Sequence, residues 1–129
     1  MKVKFISLAS GSSGNCYYIG TESYGILIDA GIAARTIKKT LKEFGIGIDT
    51  IIGVFVTHDH ADHIKGVGGL GEKLNIPIYS TSLVHQGINK SYCMTEKLHS
   101  SVRYLEKNEP MQLRDFRIES FEVPHDGTD

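Results

Sequence analysis

The sequence predicts an α+β domain in which a mixed β-sheet carries helices on one outer face. Residues 51–56 form a nearly continuous, β-branched-rich apolar run, the composition of a strand buried on both faces. Residues 33–44 place Ala33, Ile37, Leu41 and Phe44 on one stripe of a 3.6-residue period, with Lys38, Lys39 and Lys42 off it, as in a helix packed on a sheet. Elsewhere strand and helix patterns alternate only loosely, which favours a mixed sheet over a regular βαβ array. At 129 residues and 40% hydrophobic content the chain is long enough for one domain with a real core and too short for two.

Residues 3–8 predict a first strand, with Val3, Phe5 and Ser7 on one face. The polar loop of residues 9–15 follows, rich in Gly and Ser and closed by Asn15. It reads equally as a turn, where these residues satisfy their own backbone, or as a loop facing a substrate. Residues 16–20 and 24–29 form a hairpin pattern joined by Thr21, Glu22 and Ser23. Tyr17 and Tyr18 then point to opposite sides of a strand. Gly45 can cap the helix of residues 33–44, whose three lysines are its wet face or, alternatively, a phosphate-steering patch.

After the central strand, Ile64, Val67 and Leu74 keep helical spacing although Gly66, Gly68, Gly69 and Gly71 interrupt it, each costing a helix about 1 kcal/mol relative to alanine. Such glycines predict close backbone approach. Residues 77–80 read as a strand, 81–88 as a short helix ending near Gly87, and 89–101 as an irregular surface loop. Residues 102–105, 111–113 and 116–123 read as further strands, the last alternating Phe116, Ile118 and Ser120 against Arg117, Glu119 and Phe121.

Composition narrows the function classes. A formal net charge of −1 gives no global attraction to nucleic acid or to an anionic membrane surface. No stretch approaches the ~20 apolar residues of a membrane span, and the start is too interrupted for a signal peptide. Cys16 and Cys93 lack metal-type spacing and read as reduced thiols, small buried hydrophobes rather than nucleophiles, in a cytoplasmic protein. His85 and His99 read as packing or surface histidines rather than ligands.

The chemistry is concentrated in Thr57, His58, Asp59, His60, Ala61, Asp62 and His63, where the apolar strand meets the following helix. Neutral imidazole and carboxylate suit zinc, manganese or iron, and a core has little other use for them, because buried ionisable groups without partners are costly. His58 and His60 precede any helix, so the cluster is a loop site rather than a helical pair one turn apart. Alternation sends His58 and His60 the same way, while Asp62 and His63, at the turn into the helix, can face a second ion. Paired ions of this kind sit about 3.5–4 Å apart. Asp59 points outward or stands behind the ligands.

His58-x-His60-x-Asp62-His63 after an apolar strand resembles the signature of the metallo-β-lactamase-fold hydrolases. Asp29, in Leu27, Ile28, Asp29, Ala30, Gly31, matches that family's upstream aspartate, and His125, after Phe121, Glu122, Val123 and Pro124, matches its next ligand histidine. The loop of residues 8–16, with residues 125–129, is similar to the WalJ/YycJ-like subgroup, related to the RNase J and tRNase Z types.

The resemblance implies an αββα sandwich, of which this chain supplies about the first half as one unit over residues 1–129. It implies two divalent ions, zinc foremost, manganese or iron as alternatives. His58, His60 and His125 would hold one, Asp62 and His63 the other, with Asp29 as orienting carboxylate. Asp29 read alone also suits a turn or helix cap. The family's bridging aspartate, its last ligand histidine and its second sheet would lie beyond Asp129, which leaves one sheet face open to self-association.

The implied activity is hydrolysis by a metal-bound hydroxide at a phosphodiester of DNA or RNA. Ser12 and Ser13 are candidate phosphate contacts. A thioester or lactone hydrolase would use the same ligands, and a non-catalytic half-domain that binds a metal or a partner is the alternative of another class.

Overall fold

The computed structural model describes residues 2–106 and 108–119. Six strands, β1 (Lys4–Ala9), β2 (Cys16–Gly20), β3 (Gly25–Ile28), β4 (Ile51–Phe55), β5 (Ile78–Ser80) and β6 (Val102–Tyr104), lie side by side in sequence order. The first three pair antiparallel, and β3 through β6 pair parallel. A separate hairpin joins β7 (Met111–Leu113) to β8 (Phe116–Ile118). The expected mixed sheet is therefore present. Its change of direction at the β3/β4 pair follows from the connections, because a tight turn forces antiparallel neighbours whereas α1 (Ala34–Glu43) supplies the crossover that a parallel pair requires.

All helices press on one face. Ile37 and Leu41 of α1, Ile64 of α2 (Ala61–Ile64), Leu70 of a π-helical turn at Gly69–Lys73 and Ile88 of α3 (Ser82–Lys90) share one core with Cys16, Tyr18, Leu27, Val54, Val56 and Ile78 of the sheet region. Ile37, Leu41, Leu70 and Ile88 are fully buried, so truncating any of them to alanine costs about 2–5 kcal/mol. The α1 lysines are exposed, and Gly45 ends that helix with φ +78°. Tyr18 faces the core while Tyr17 lies on the other side, stacked on Phe5 at 6.0 Å.

The second face is partly covered. Phe55 stacks on Tyr79 at 4.7 Å. The β7–β8 hairpin brings Phe116 edge-on to Tyr24 at 5.9 Å, sets Arg114 over the same ring and Asp115 on its hydroxyl. Val3 and Phe5, expected together on one strand face, are on this side and remain 64% and 63% exposed, whereas Ile6 and Leu8 pack against the helix-side core.

Two expectations need correction. Leu74 does not continue the helical stripe. The helix breaks after Ile64, the π-helical turn puts Leu70 in the core, and Leu74 is left exposed. The cause is the run of glycines: a Cβ at Gly66 would sit 2.3 Å from the Ile32 carbonyl oxygen, so the backbone itself is in contact there. Nor does α3 end at Gly87; it runs to Lys90 and takes Asn89 and Lys90 from the predicted loop. Gly87 is instead where Asp59 lies against the helix, 1.8 Å from where a Cβ would stand. The strand expected over residues 116–123 ends at Ile118, with Glu119 already outside it, and matches the expected alternation up to there, Phe116 and Ile118 half-buried and Arg117 exposed. Ser120, Phe121 and the segment to Asp129, including His125, lie outside the described residues.

Candidate metal centre

Strand register assembles the site before any side chain is considered. Ile28 at the end of β3 is paired with Phe55 at the end of β4, so the next residues, Asp29 and then Val56 and Thr57, emerge side by side. Tyr17 of antiparallel β2 is paired with Ile28, which brings the loop of residues 9–15 to the same end. Backbone bonds lock the three segments: Asn15 donates to the Asp62 carbonyl at 2.8 Å, Gly31 to the Asn15 carbonyl at 2.8 Å, and Ala30 to the His63 carbonyl at 2.9 Å. A Cβ at Gly31 would fall 1.8 Å from the Asp62 oxygen, so no other residue fits this crossing.

Asp29 is the hub. It is 3% exposed and held at φ +63°. Its Oδ1 accepts the Thr57 backbone N–H at 2.7 Å, and its Oδ2 accepts both the Thr57 hydroxyl and His63 Nδ1 at 2.7 Å. An ionised carboxylate only accepts, so His63 donates from Nδ1, and as the neutral imidazole that a metal requires it presents a bare Nε2. The Thr57 hydroxyl has spent its single hydrogen on Asp29. Its oxygen can therefore only accept from His58 Nδ1, 2.8 Å away, and His58 also presents a bare Nε2. One buried carboxylate thus sets the tautomer of two imidazoles, directly in one case and through Thr57 in the other.

Asp29, His58 and His63 each bring a donor atom within 4.8 Å of the others, a grouping able to surround an ion. Asp29 already accepts three hydrogen bonds, and the free valences point from the two imidazoles. Their rings lie 4.7 Å apart. Asp62 Oδ2 is 3.7 Å from His63 Nε2, close to the separation of two ligands on one ion. His60 stands further out, its ring 5.8 Å from that of His58 and its side chain 73% exposed. The donor set of imidazole nitrogens and carboxylate oxygen fits zinc, manganese or iron.

Ser12 and Ser13 sit exposed at the tip of the loop closed by Asn15. Cys16 is fully buried, and burial, with the Asp29 charge adding to it, pushes its thiol up to about 12, so it is no nucleophile. His85 is a packing residue, 3% exposed, with Nε2 directed at the carbonyls of Ile78 and Arg103. The His99 side chain is exposed; its backbone N–H donates to Glu72. A groove of about 500 Å³ opens at the opposite end of the sheet, around residues 2–4, 21–24 and 44–47. Among the described residues it gathers no comparable ligand set, and the strand ends locate the chemistry.

Sequence reading missed two residues. Thr57 was visible only as the last residue before the histidines, and Asn15 only as a turn former. Neither has a signal in composition or period, because both act through partners 28 and 47 positions away.

Such a centre, a carboxylate-oriented imidazole pair at the carboxyl ends of parallel strands, is a candidate metal site on an α+β fold. Residues 9–128 match the family described as the Metallo-beta-lactamase superfamily, and the chain belongs to it. Among curated relatives it is 33% identical to exodeoxyribonuclease YycJ of Bacillus anthracis over 100% of this chain and 48% of that protein. It is 34% identical to exodeoxyribonuclease WalJ of Streptococcus pneumoniae over 96% of this chain and 46% of that protein. The chain therefore spans about half the length of these relatives. Ribonuclease J of Helicobacter pylori is 31% identical over 87% of this chain and 18% of its own length. In fold, a B3 metallo-beta-lactamase with an active-site glutamic acid superposes with a TM-score of 0.76 at 19% identity, over 93% of this chain and 49% of that one. Among the described residues no helix is long and apolar enough to cross a membrane.

Proposed function

We propose that this chain carries the amino-terminal part of a two-metal phosphodiesterase centre acting on DNA or RNA in the cytoplasm. The observation that carries the reading is the Asp29 hub, which leaves His58 and His63 with bare Nε2 atoms, that of His63 3.7 Å from Asp62 Oδ2. His58, His60 and His125 form one ligand group, and Asp62 and His63 the other. Residues 1–129 act as one unit of a longer domain, a reading supported by the share of the nuclease relatives that the chain spans.

When bound, divalent ions supply a nucleophile from water near neutral pH and a Lewis acid for the phosphoryl oxygen. The chain's own residues prepare that step. Asp29 holds the Nδ1 proton of His63 and, through Thr57, that of His58, so neither imidazole turns an N–H toward the ions. Asp62 adds a carboxylate beside His63, and exposed Ser12 and Ser13 can donate to a phosphate oxygen. The choice of nucleic acid as substrate is supported by the names of the relatives, not by charge, which is near neutral. The open face around Val3 and Phe5 is assigned to self-association, for which gel filtration with apolar dye binding is the check.

Metal analysis of the purified chain, with zinc and manganese offered in turn, is the first test. About two equivalents, with one lost in His60→Ala, is expected; no stoichiometric binding refutes the centre. A substrate panel of bis-aryl phosphate, thioester and β-lactam then tests the chemistry, and turnover of the thioester alone overturns the nuclease reading.

A further inference from the structure

The loop of residues 9–15 does more than turn the chain. Asn15 is anchored at both ends of its amide: Gly11 N–H donates to Oδ1 at 3.2 Å, and Nδ2 donates to the Gly11 carbonyl at 3.0 Å. That pattern fixes which amide atom is which, because Oδ1 alone can accept from Gly11 N–H. The second hydrogen of Nδ2 is then directed at Asp62, 3.2 Å from Oδ2 and 3.3 Å from the carbonyl, while the Asn15 backbone N–H donates to the same carbonyl. Asp62 stands in the first turn of the four-residue helix α2. Its carboxylate is only partly buried, and Oδ2, the oxygen bonded to Asn15, is the one 3.7 Å from His63 Nε2.

We propose that Asn15 is the positioning residue for Asp62, holding one carboxylate oxygen so that the group faces the ion shared with His63, as Asp29 does for the imidazoles. The inference rests on Asp62 being a ligand, the reading given above. It also gives the loop a role in the site: the residues that carry Ser12 and Ser13 are tied to the ligand itself, so ligand geometry and the rim of the site move together.

The test uses Asn15→Ala, Asp62→Ala and, as a matched loss of stability far from the site, Ile37→Val. Each is titrated with zinc against a chromophoric chelator, the cobalt-substituted spectrum is recorded, and the metal-free melt is measured alongside. Asn15→Ala should weaken the Asp62/His63 ion by about 10- to 100-fold, the usual loss when a residue orienting a ligand is removed, and alter the cobalt bands. Ile37→Val should lower the melt and leave affinity and spectrum unchanged. Wild-type affinity in Asn15→Ala, with Asp62→Ala clearly weakened, overturns the positioning role and leaves the ligand reading standing. Wild-type affinity in Asp62→Ala overturns both. Should Asn15→Ala fail to fold, the side-chain amide resonances of Asn15 in the unaltered chain decide: a shift on zinc addition that Asp62→Ala abolishes supports the role, and no shift overturns it.

Discussion

Replacing Asp29 with asparagine tests the core of the site without a change of size. The backbone there is at φ +63°, a region asparagine tolerates as well as aspartate, so no conformational cost is introduced. What changes is polarity. The amide oxygen can keep the Thr57 N–H, but the atom now facing Thr57 Oγ1 and His63 Nδ1 is an NH2 that donates. His63 can meet it only as the other tautomer, lone pair on Nδ1 and hydrogen on Nε2, which turns an N–H toward the ion.

Loss of a charge-assisted bond at a residue 3% exposed costs about 2 kcal/mol, which for a chain of this size lowers Tm by about 6–10 °C. Metal affinity should fall by about 10- to 100-fold or more, since an orienting partner is lost and a ligand is blocked. Chelator competition reads the affinity, and long-range proton–nitrogen NMR of the imidazoles reads the tautomer. Wild-type affinity together with an Nδ1-protonated His63 in Asp29→Asn refutes the argument.

Glu72 should confer acid sensitivity. Hydrogen bonds from the Ser101 side chain, the His99 and Ser101 backbone and Ser100 hold its carboxyl down to about 2 from an ordinary 4.5. The folded form thus releases its proton more readily than the unfolded one. Its contribution is complete above pH 4.5 and is lost as pH falls toward 2. Glu72→Gln should remove that part of the acid limb, about 1 kcal/mol after solvent screening, in urea unfolding at stepped pH.

His85 acts over a higher range. Burial lowers its pKa from 6.5, and Nδ1 has no hydrogen-bond partner among the described residues, so the folded state prefers the neutral ring. Stability is full above 6.5 and falls as pH drops below it, and His85→Gln should flatten the difference in urea midpoint between about pH 7.5 and about 5.5. Two glycines should both resist substitution in thermal melts. Gly31→Ala drives a Cβ into the Asp62 carbonyl and should cost more than about 3 kcal/mol, with loss of metal binding. Gly87→Ala puts a Cβ 1.8 Å from Asp59 Oδ2 and 2.8 Å from Asp59 Cβ, which no rotamer change of Asp59 relieves, and should cost about 1–3 kcal/mol.

The parts of this molecule legible in the sequence are those governed by neighbours along the chain. The strand at Ile51–Phe55 follows from its continuous apolar run, the helix at Ala34–Glu43 from its apolar period, and the hairpin of β2 and β3 from its turn residues. The break after Ile64, the exposure of Leu74 and the passage of α3 through Gly87 were not legible, because each depends on which distant backbone or side chain comes close. The ligand-type residues could be named because the chemistry of imidazole and carboxylate is local to each side chain.

The arrangement of those ligands is another matter. The pairing of Ile28 with Phe55 puts Asp29 beside Thr57, and Thr57 passes the Asp29 charge on to His58. The approach of Asn15 to Asp62 likewise spans 47 positions. By itself, then, the sequence determined that this chain concentrates ligand-type residues at the end of a buried strand in a mixed α+β sheet. Tertiary structure alone decided which nitrogen of His58 and of His63 is bare and which oxygen of Asp62 is held. Those are properties of hydrogen bonds between segments, and no segment contains both partners.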